Sequence, residues 1–344
     1  MKKPITLILC LLLALPALSL AEEAKVLNLM TWETYIDDGI IAAFEEETGI
    51  HVIYSPAQTN DEMLLKVSES GGKGFDLILA SDYILDIMRK RNLLQKLDKS
   101  QLLNYANLGE RFINHYYDPD NEYTVPYLAG TPLIVYDPVK VGIDIEGYAD
   151  LWDPSLKDSV VLFDDARLVV GFTLKTMGRS LNETDPAILE QAKEKLMPLL
   201  PNIRAFDYDT PYLLMINGET TVGFMFTPQV YTAVMDRPDL KVVYPKEGLG
   251  FGIDGLVLSI QAEHVNNAHL FLDYLMRPDV AAHNAMEQYS LNVNEAAEPL
   301  LDEDFRNSPV VYIPEVLLAD AEFIKDIGSA ETTMQEIFAA FKLQ

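Results

Sequence analysis

Residues Val26 to Arg89 read VLNLMTWETYIDDGIIAAFEEETGIHVIYSPAQTNDEMLLKVSESGGKGFDLILASDYILDIMR, and the spacing of the apolar residues switches repeatedly between two periods. Val26 to Thr31 suits a buried strand. The next segment places Ile40, Ile41 and Phe44 on one helical face and stops at Gly49, a residue that takes the left-handed C-cap conformation without steric cost. His51 to Ser55 resumes as strand and Pro56 closes it. Asn60 to Ser70 suits a second helix, Phe75 to Ala80 a third strand, and Tyr83 to Arg89 the start of a third helix. The order βαβαβ predicts an α/β fold, a parallel sheet with helices on both faces. Ligands in such sheets bind beyond the carboxyl ends of the strands, which here are Thr31-Trp32 and Ala80-Ser81.

The same logic continues downstream. Asp185-Pro186 is a helix start, with Ile188, Leu189, Ala192 and Leu196 as the buried stripe before Pro198 ends it. Val160 to Phe163, Val222 to Phe226 and Leu256 to Ile260 read as short apolar strands. A chain of 344 residues with 49% hydrophobic residues is too long for one ordinary core and can fill two. No repeat, low-complexity tract or Pro-rich linker separates the halves, so two lobes should be joined by short strands.

The N-terminus predicts export. Lys2 and Lys3 precede an apolar run from Ile5 to Leu15 and the small-residue pattern Ser19-Leu20-Ala21, a signal peptide over residues 1–21 cleaved before Glu22. That run is shorter than the ~20 residues that span hydrocarbon. Cys10 is the single cysteine and lies inside it, so the mature chain should hold no disulfide, thiolate nucleophile or cysteine-ligated metal. With 26 basic against 53 acidic side chains the net charge is −27, which repels nucleic acid and anionic membranes and attracts cations.

Several motifs carry no chemistry on this reading. Gly250-Phe251-Gly252-Ile253-Asp254-Gly255 matches G-x-G-x-x-G, but an apolar run follows it where a nucleotide site needs a helix, so it is expected to be a loop entering a strand. His264 and His269 are five residues apart and fall on different helix faces, as surface or capping histidines. Asp118, Asp120 and Glu122 read as solvated loop acids. Asp164-Asp165 is the one carboxylate pair that an exported hydrolase could use, yet adjacent strand residues point to opposite faces. No catalytic residue, metal or cofactor is expected. What remains at the strand ends is a set of rings and carboxylates: Trp32, Tyr35, Ser81, Tyr83, Asp165, Phe226 and Asp254. Ring faces attract a desolvated cation and cover methylenes, and carboxylates accept from ammonium groups.

At these residues the chain resembles the periplasmic spermidine/putrescine-binding proteins of polyamine importers. Six stretches carry the resemblance in order: Trp32 to Tyr35, Thr48 to Ser55, Asp86 to Lys90, Asp164 to Arg167, Pro245 to Gly248 and Arg277 to Ala281. It implies a type II periplasmic-binding-protein fold, two α/β lobes joined by crossover strands around a ligand cleft. The lobes are expected as residues 22–131 with 256–300 and residues 132–255 with 301–344. Tyr127 to Val135 and Phe251 to Ile260 are the expected crossovers.

The resemblance further implies a monomeric, non-enzymatic periplasmic protein that hands a polyamine to an inner-membrane ABC permease, or alternatively reports ligand occupancy to a membrane sensor. Trp32, Tyr35, Ser81, Tyr83, Asp165 and Asp254 match positions that line the family's cleft, and Phe226 stands where tryptophan is common. Thr34, Leu168, Gly252, Ser290 and Ile324 depart from glutamate, glutamate, tryptophan, tyrosine and glutamine. Glu33 is expected to compensate for Thr34.

Overall fold

The computed structural model describes residues 23–343, so the expected signal peptide and Cys10 lie outside the described residues. The chain opens with strand β1 (Val26–Trp32), helix α1 (Asp38–Thr48), β2 (His51–Ala57), α2 (Asn60–Ser70), β3 (Leu77–Ser81) and α3 (Asp82–Lys90). β1 pairs in parallel with both β2 and β3. Along β1 the side chains divide between two faces, as a period of two requires. Leu27 and Leu29 join a core with Ile40 and Phe44 of α1, whereas Met30 packs with Met63 and Val67 of α2 and Ile84 and Met88 of α3. Gly49 ends α1 at φ +69°, its N–H donating to the Glu45 carbonyl at 2.8 Å.

β2 runs two residues past its expected end, and Pro56 pairs with Thr31 inside it. β2 is the outer strand of its sheet, where a missing backbone donor faces no partner, so proline is tolerated.

The remaining strands are β4 (Leu94–Gln95), β5 (Thr124–Gly130), β6 (Pro132–Tyr136), β7 (Val160–Phe163), β8 (Ile203–Asp207), β9 (Val222–Phe226), β10 (Lys241–Val243), β11 (Gly250–Ser259), β12 (Leu291–Asn292) and β13 (Glu322–Phe323). They build two sheets. The first has the order β12-β5-β11-β3-β1-β2, with β4 and β13 also on β11; the second has the order β10-β6-β9-β7-β8. This is the two-lobed type II arrangement. α4 (Ala166–Lys175) and α5 (Pro186–Leu196) follow β7 and pack with the C-terminal helix Ala330–Lys342 on the second sheet.

Only Thr131 separates β5 of the first sheet from β6 of the second. It is fully buried, its N–H donates to Thr227 Oγ1 at 3.0 Å, and its hydroxyl donates to the Gly250 carbonyl at 2.6 Å. The outward crossing is thereby tied to the residue at which the chain returns.

Three borders move. β11 begins at Gly250 and lies wholly in the first sheet, pairing with β5 and β3, so the expected lobe border at 255/256 cuts through a strand and the return crossing precedes Gly250. The G-x-G-x-x-G segment is part of that strand rather than a loop before it. β13, expected in the second lobe, pairs with Gly250 and Phe251 of β11.

Two side-chain readings also change. His269 is 1% exposed: its Nδ1 is 2.7 Å from the Val265 carbonyl and its Nε2 accepts the Asp98 N–H at 2.9 Å, so it is a buried bridge and not a surface group. Asp118 is 2% exposed and accepts from the N–H groups of Glu122, Tyr123 and Thr124 and from the Thr124 hydroxyl, all between 2.8 and 3.1 Å. Asp118→Ala would strand those donors. It should lower unfolding stability by roughly 3 kcal/mol or more in a urea titration, since each orphaned buried donor costs about 1–3 kcal/mol. A loss below ~1 kcal/mol would show that water replaces the carboxylate.

Candidate functional site

A cavity of about 320 Å³ opens at the carboxyl ends of β1, β3, β7 and β9, between the two sheets. The first lobe contributes Trp32 and Tyr35 after β1, Ser81 at the end of β3, Tyr83 in the first turn of α3, and Asp254 from β11. The second contributes Asp165 after β7 and Phe226 at the end of β9. Seven of the eight expected site residues therefore line one space. Glu33 does not: it is exposed and outside the cavity lining, so it does not compensate for Thr34. Thr34 also lies off the cavity, exposed in a left-handed turn (φ +59°) whose carbonyl accepts from Gln288 Nε2 at 2.9 Å.

The aromatic walls are held in place by one another. Trp32 meets Tyr35 edge to face at 5.2 Å, Tyr35 meets Tyr127 at 5.6 Å, and Tyr127 donates its hydroxyl to the Tyr35 carbonyl at 2.9 Å. Across the cavity, Phe226 stands perpendicular to Phe163 at 5.1 Å, and Tyr208 tilts against Phe163 at 4.7 Å. Edge-to-face contacts fix ring orientation and leave faces free for a ligand.

The carboxylates sit between these walls. Asp254 accepts the Tyr35 hydroxyl at 2.6 Å. Burial pushes its carboxyl above the usual aspartate range, and the bonds from Tyr35 and the neighbouring Ser81 hydroxyl pull only part of the way back. Asp165 caps α4, accepting the Leu168 N–H at 2.9 Å. Burial raises it too, against the Leu168 bond and the Arg167 charge. The same burial, aided by Asp254, holds the Tyr35 phenol well above its ordinary value. Asp164, next to Asp165, is instead paired with Lys342 at 2.6 Å, so the two acids do not act on one substrate.

Of the five departures, Leu168, Gly252, Ser290 and Ile324 line the cavity. A Cβ added at Gly252 would meet nothing within 4 Å, so that wall is open space. Sequence reasoning missed Asp82, Phe163, Arg167 and Tyr208 in the lining. The strand-end rule that selected Ser81 and Tyr83 would have included Asp82 between them. Arg167 supports the site from behind, donating to the Lys325 carbonyl at 3.1 Å, to Glu331 at 2.6 Å and to Asn182 at 2.9 Å.

Chemically, the cavity can surround an apolar chain with rings and receive positive groups at Asp165 and Asp254. Among the described residues no cluster of His, Cys, Asp and Glu is arranged to hold a metal ion, and no helix is long and apolar enough to cross a membrane.

The model of the bacterial extracellular solute-binding protein family matches residues 39–310. The spermidine/putrescine-binding periplasmic protein of Salmonella typhimurium is 35% identical over 327 residues, covering 94% of this chain and 93% of that one. A putrescine-binding periplasmic protein of Escherichia coli is 31% identical over 323 residues, 88% and 87% of the two chains. Among solved structures, a spermidine/putrescine ABC transporter protein from Listeria monocytogenes superposes with a TM-score of 0.85 at 34% identity, covering 93% of this chain and 99% of that chain.

Proposed function

This chain belongs to the bacterial extracellular solute-binding protein family, whose members bind solutes and are not enzymes, and from that premise we propose that it captures a polyamine in the periplasm for an inner-membrane ABC permease. The observation that carries the reading is Asp254: a half-buried carboxylate between the lobes, bonded to a phenol, unpaired by any cation among the described residues, and flanked by aromatic faces. An ammonium group supplies the missing charge, and Trp32, Tyr35, Tyr83 and Phe226 cover the methylenes. Thr131 marks the hinge about which the lobes close. The closed shape is what the membrane partner recognises. Spermidine, norspermidine and putrescine are the candidate ligands, because relatives named for spermidine and putrescine align over almost the whole chain.

A thermal-shift panel of putrescine, cadaverine, norspermidine, spermidine, spermine and quaternary amines tests the ligand class. A ligand at 100 times its Kd adds ~2.7 kcal/mol of stability, a shift that is readily visible. Silence across the panel would overturn the reading. Deleting the gene should also reduce polyamine uptake. Unchanged uptake with loss of a polyamine-dependent signalling output would replace the permease by a membrane sensor.

A further inference from the structure

Asp82 follows Ser81 at the end of β3, where the ladder between β3 and β11 stops. Its carboxylate takes the place of the next strand residue: one oxygen accepts the Ile253 N–H at 3.2 Å, and the other lies 3.4 Å from the Tyr116 hydroxyl. That hydroxyl already donates to the Ile324 carbonyl at 2.7 Å, so it leaves Asp82 weakly satisfied. Asp82 is 1% exposed yet lines the cavity, and no lysine, arginine or histidine of the described residues pairs with it. It is held one residue from Asp254 along β11, and the charge of Asp254 adds to burial in disfavouring its ionised form. A buried carboxylate with spare lone pairs and no cation is costly unless it takes up a proton or a ligand brings a cation to it.

Gly252 lines the same cavity beside Ile253, and a side chain there would meet no atom within 4 Å. The β11 wall that carries Asp254 therefore has unfilled room at Gly252.

We propose that Asp82 is a third ligand carboxylate, so that Asp82, Asp254 and Asp165 together match a triamine and give it preference over a diamine. The assignment rests on the amine reading above and names the ligand class within it. Asp82 and Asp254 take two ammonium groups toward one end of the ligand, and Asp165 takes the group at the other end. A diamine leaves one of the three carboxylates without a counter-charge.

Calorimetric titration of the full chain with spermidine, norspermidine, putrescine and cadaverine tests this. The wild type should bind the triamines roughly tenfold or more tighter than the diamines, the scale of one desolvated charge pair. Asp82→Asn preserves shape while removing charge, and should bring that ratio to within about threefold of unity. Gly252→Leu fills the free room on the β11 wall beside Ile253, whose N–H Asp82 accepts, and should shrink the same ratio with Asp82 intact. If Asp82→Asn fails to melt cooperatively, Asp82→Thr keeps an acceptor for the Ile253 N–H and serves in its place. A purely structural Asp82 would weaken all four amines alike. That outcome, or a wild type preferring diamines, overturns the proposal. Failure of the wild type to bind any amine would defeat the amine reading itself, and is thereby distinguishable.

Discussion

Asp254→Asn should abolish most amine binding while making the ligand-free protein more stable. The loss follows from removing one partner of a buried, hydrogen-bonded charge pair, which costs about 2–5 kcal/mol or more. At 1.4 kcal/mol per decade, that is a weakening of roughly 30-fold to more than 1,000-fold. The gain follows from the direction in which burial moves this carboxyl. A carboxyl whose folded-state pKa lies above its unfolded value of about 3.9 stabilises the fold while protonated. That contribution is complete below the unfolded value and is lost as pH rises through the raised folded value. Above the raised folded value, Asp254 is thus a destabilising charge in the ligand-free cleft, and asparagine removes it while keeping an acceptor for the Tyr35 hydroxyl. Thermal melts without ligand should show a higher midpoint than wild type, and added spermidine should no longer raise it. Full affinity in the variant would sink the assignment of Asp254 as a ligand group.

Acidification should weaken ligand binding steeply. The ammonium groups of the ligand stay charged throughout the acid range, since an alkyl ammonium titrates near 10.4. The change therefore comes from the protein. Asp254 and Asp165 are both raised by burial in the ligand-free cleft, so each binds a proton at a pH where an ordinary aspartate would not. Ligand must displace those protons. Below both raised values, affinity should fall by about one decade per pH unit for each proton displaced, about 100-fold from these two groups together. The free protein should move oppositely, gaining stability from these two groups as they protonate. Calorimetry across a descending pH series reads the first effect, and ligand-free melts read the second. An affinity that stays flat down to the ordinary aspartate range would mean that neither carboxylate meets the ligand.

The first lobe was legible because its apolar pattern is local. Leu27, Leu29 and Met30 alternate between two covered faces, and Gly49 ends α1 by its own backbone freedom. β11 was legible only from Leu256 onward. Its first six residues include Gly250, Gly252 and Gly255, which weaken any strand signal, and pairing from β3 and β5 on either side overrides that weakness. Gly255 sits at the register shift on β5, where an added Cβ would lie 3.3 Å from the Val125 carbonyl and 3.1 Å from Leu85. Nothing near it in sequence announces that approach. The same applies to His269 and Asp118, whose polar character suggested solvent until tertiary donors were seen around them. For the cleft, residue type and strand-end position selected rings and two carboxylates that line one cavity. Glu33 failed because a turn beginning at Trp32 carries it outward. Asp82 escaped notice because an acid in the first turn of a helix already has a role there, favoured by the helix dipole.

The most direct measurement is titration calorimetry of the wild-type protein with spermidine and putrescine at low and moderate salt. Saturable binding of one amine per chain is predicted, persisting at moderate salt because closure of the lobes around the amine buries the half-exposed carboxylates and leaves them weakly screened. Absence of heat and of saturation with both amines would contradict the account.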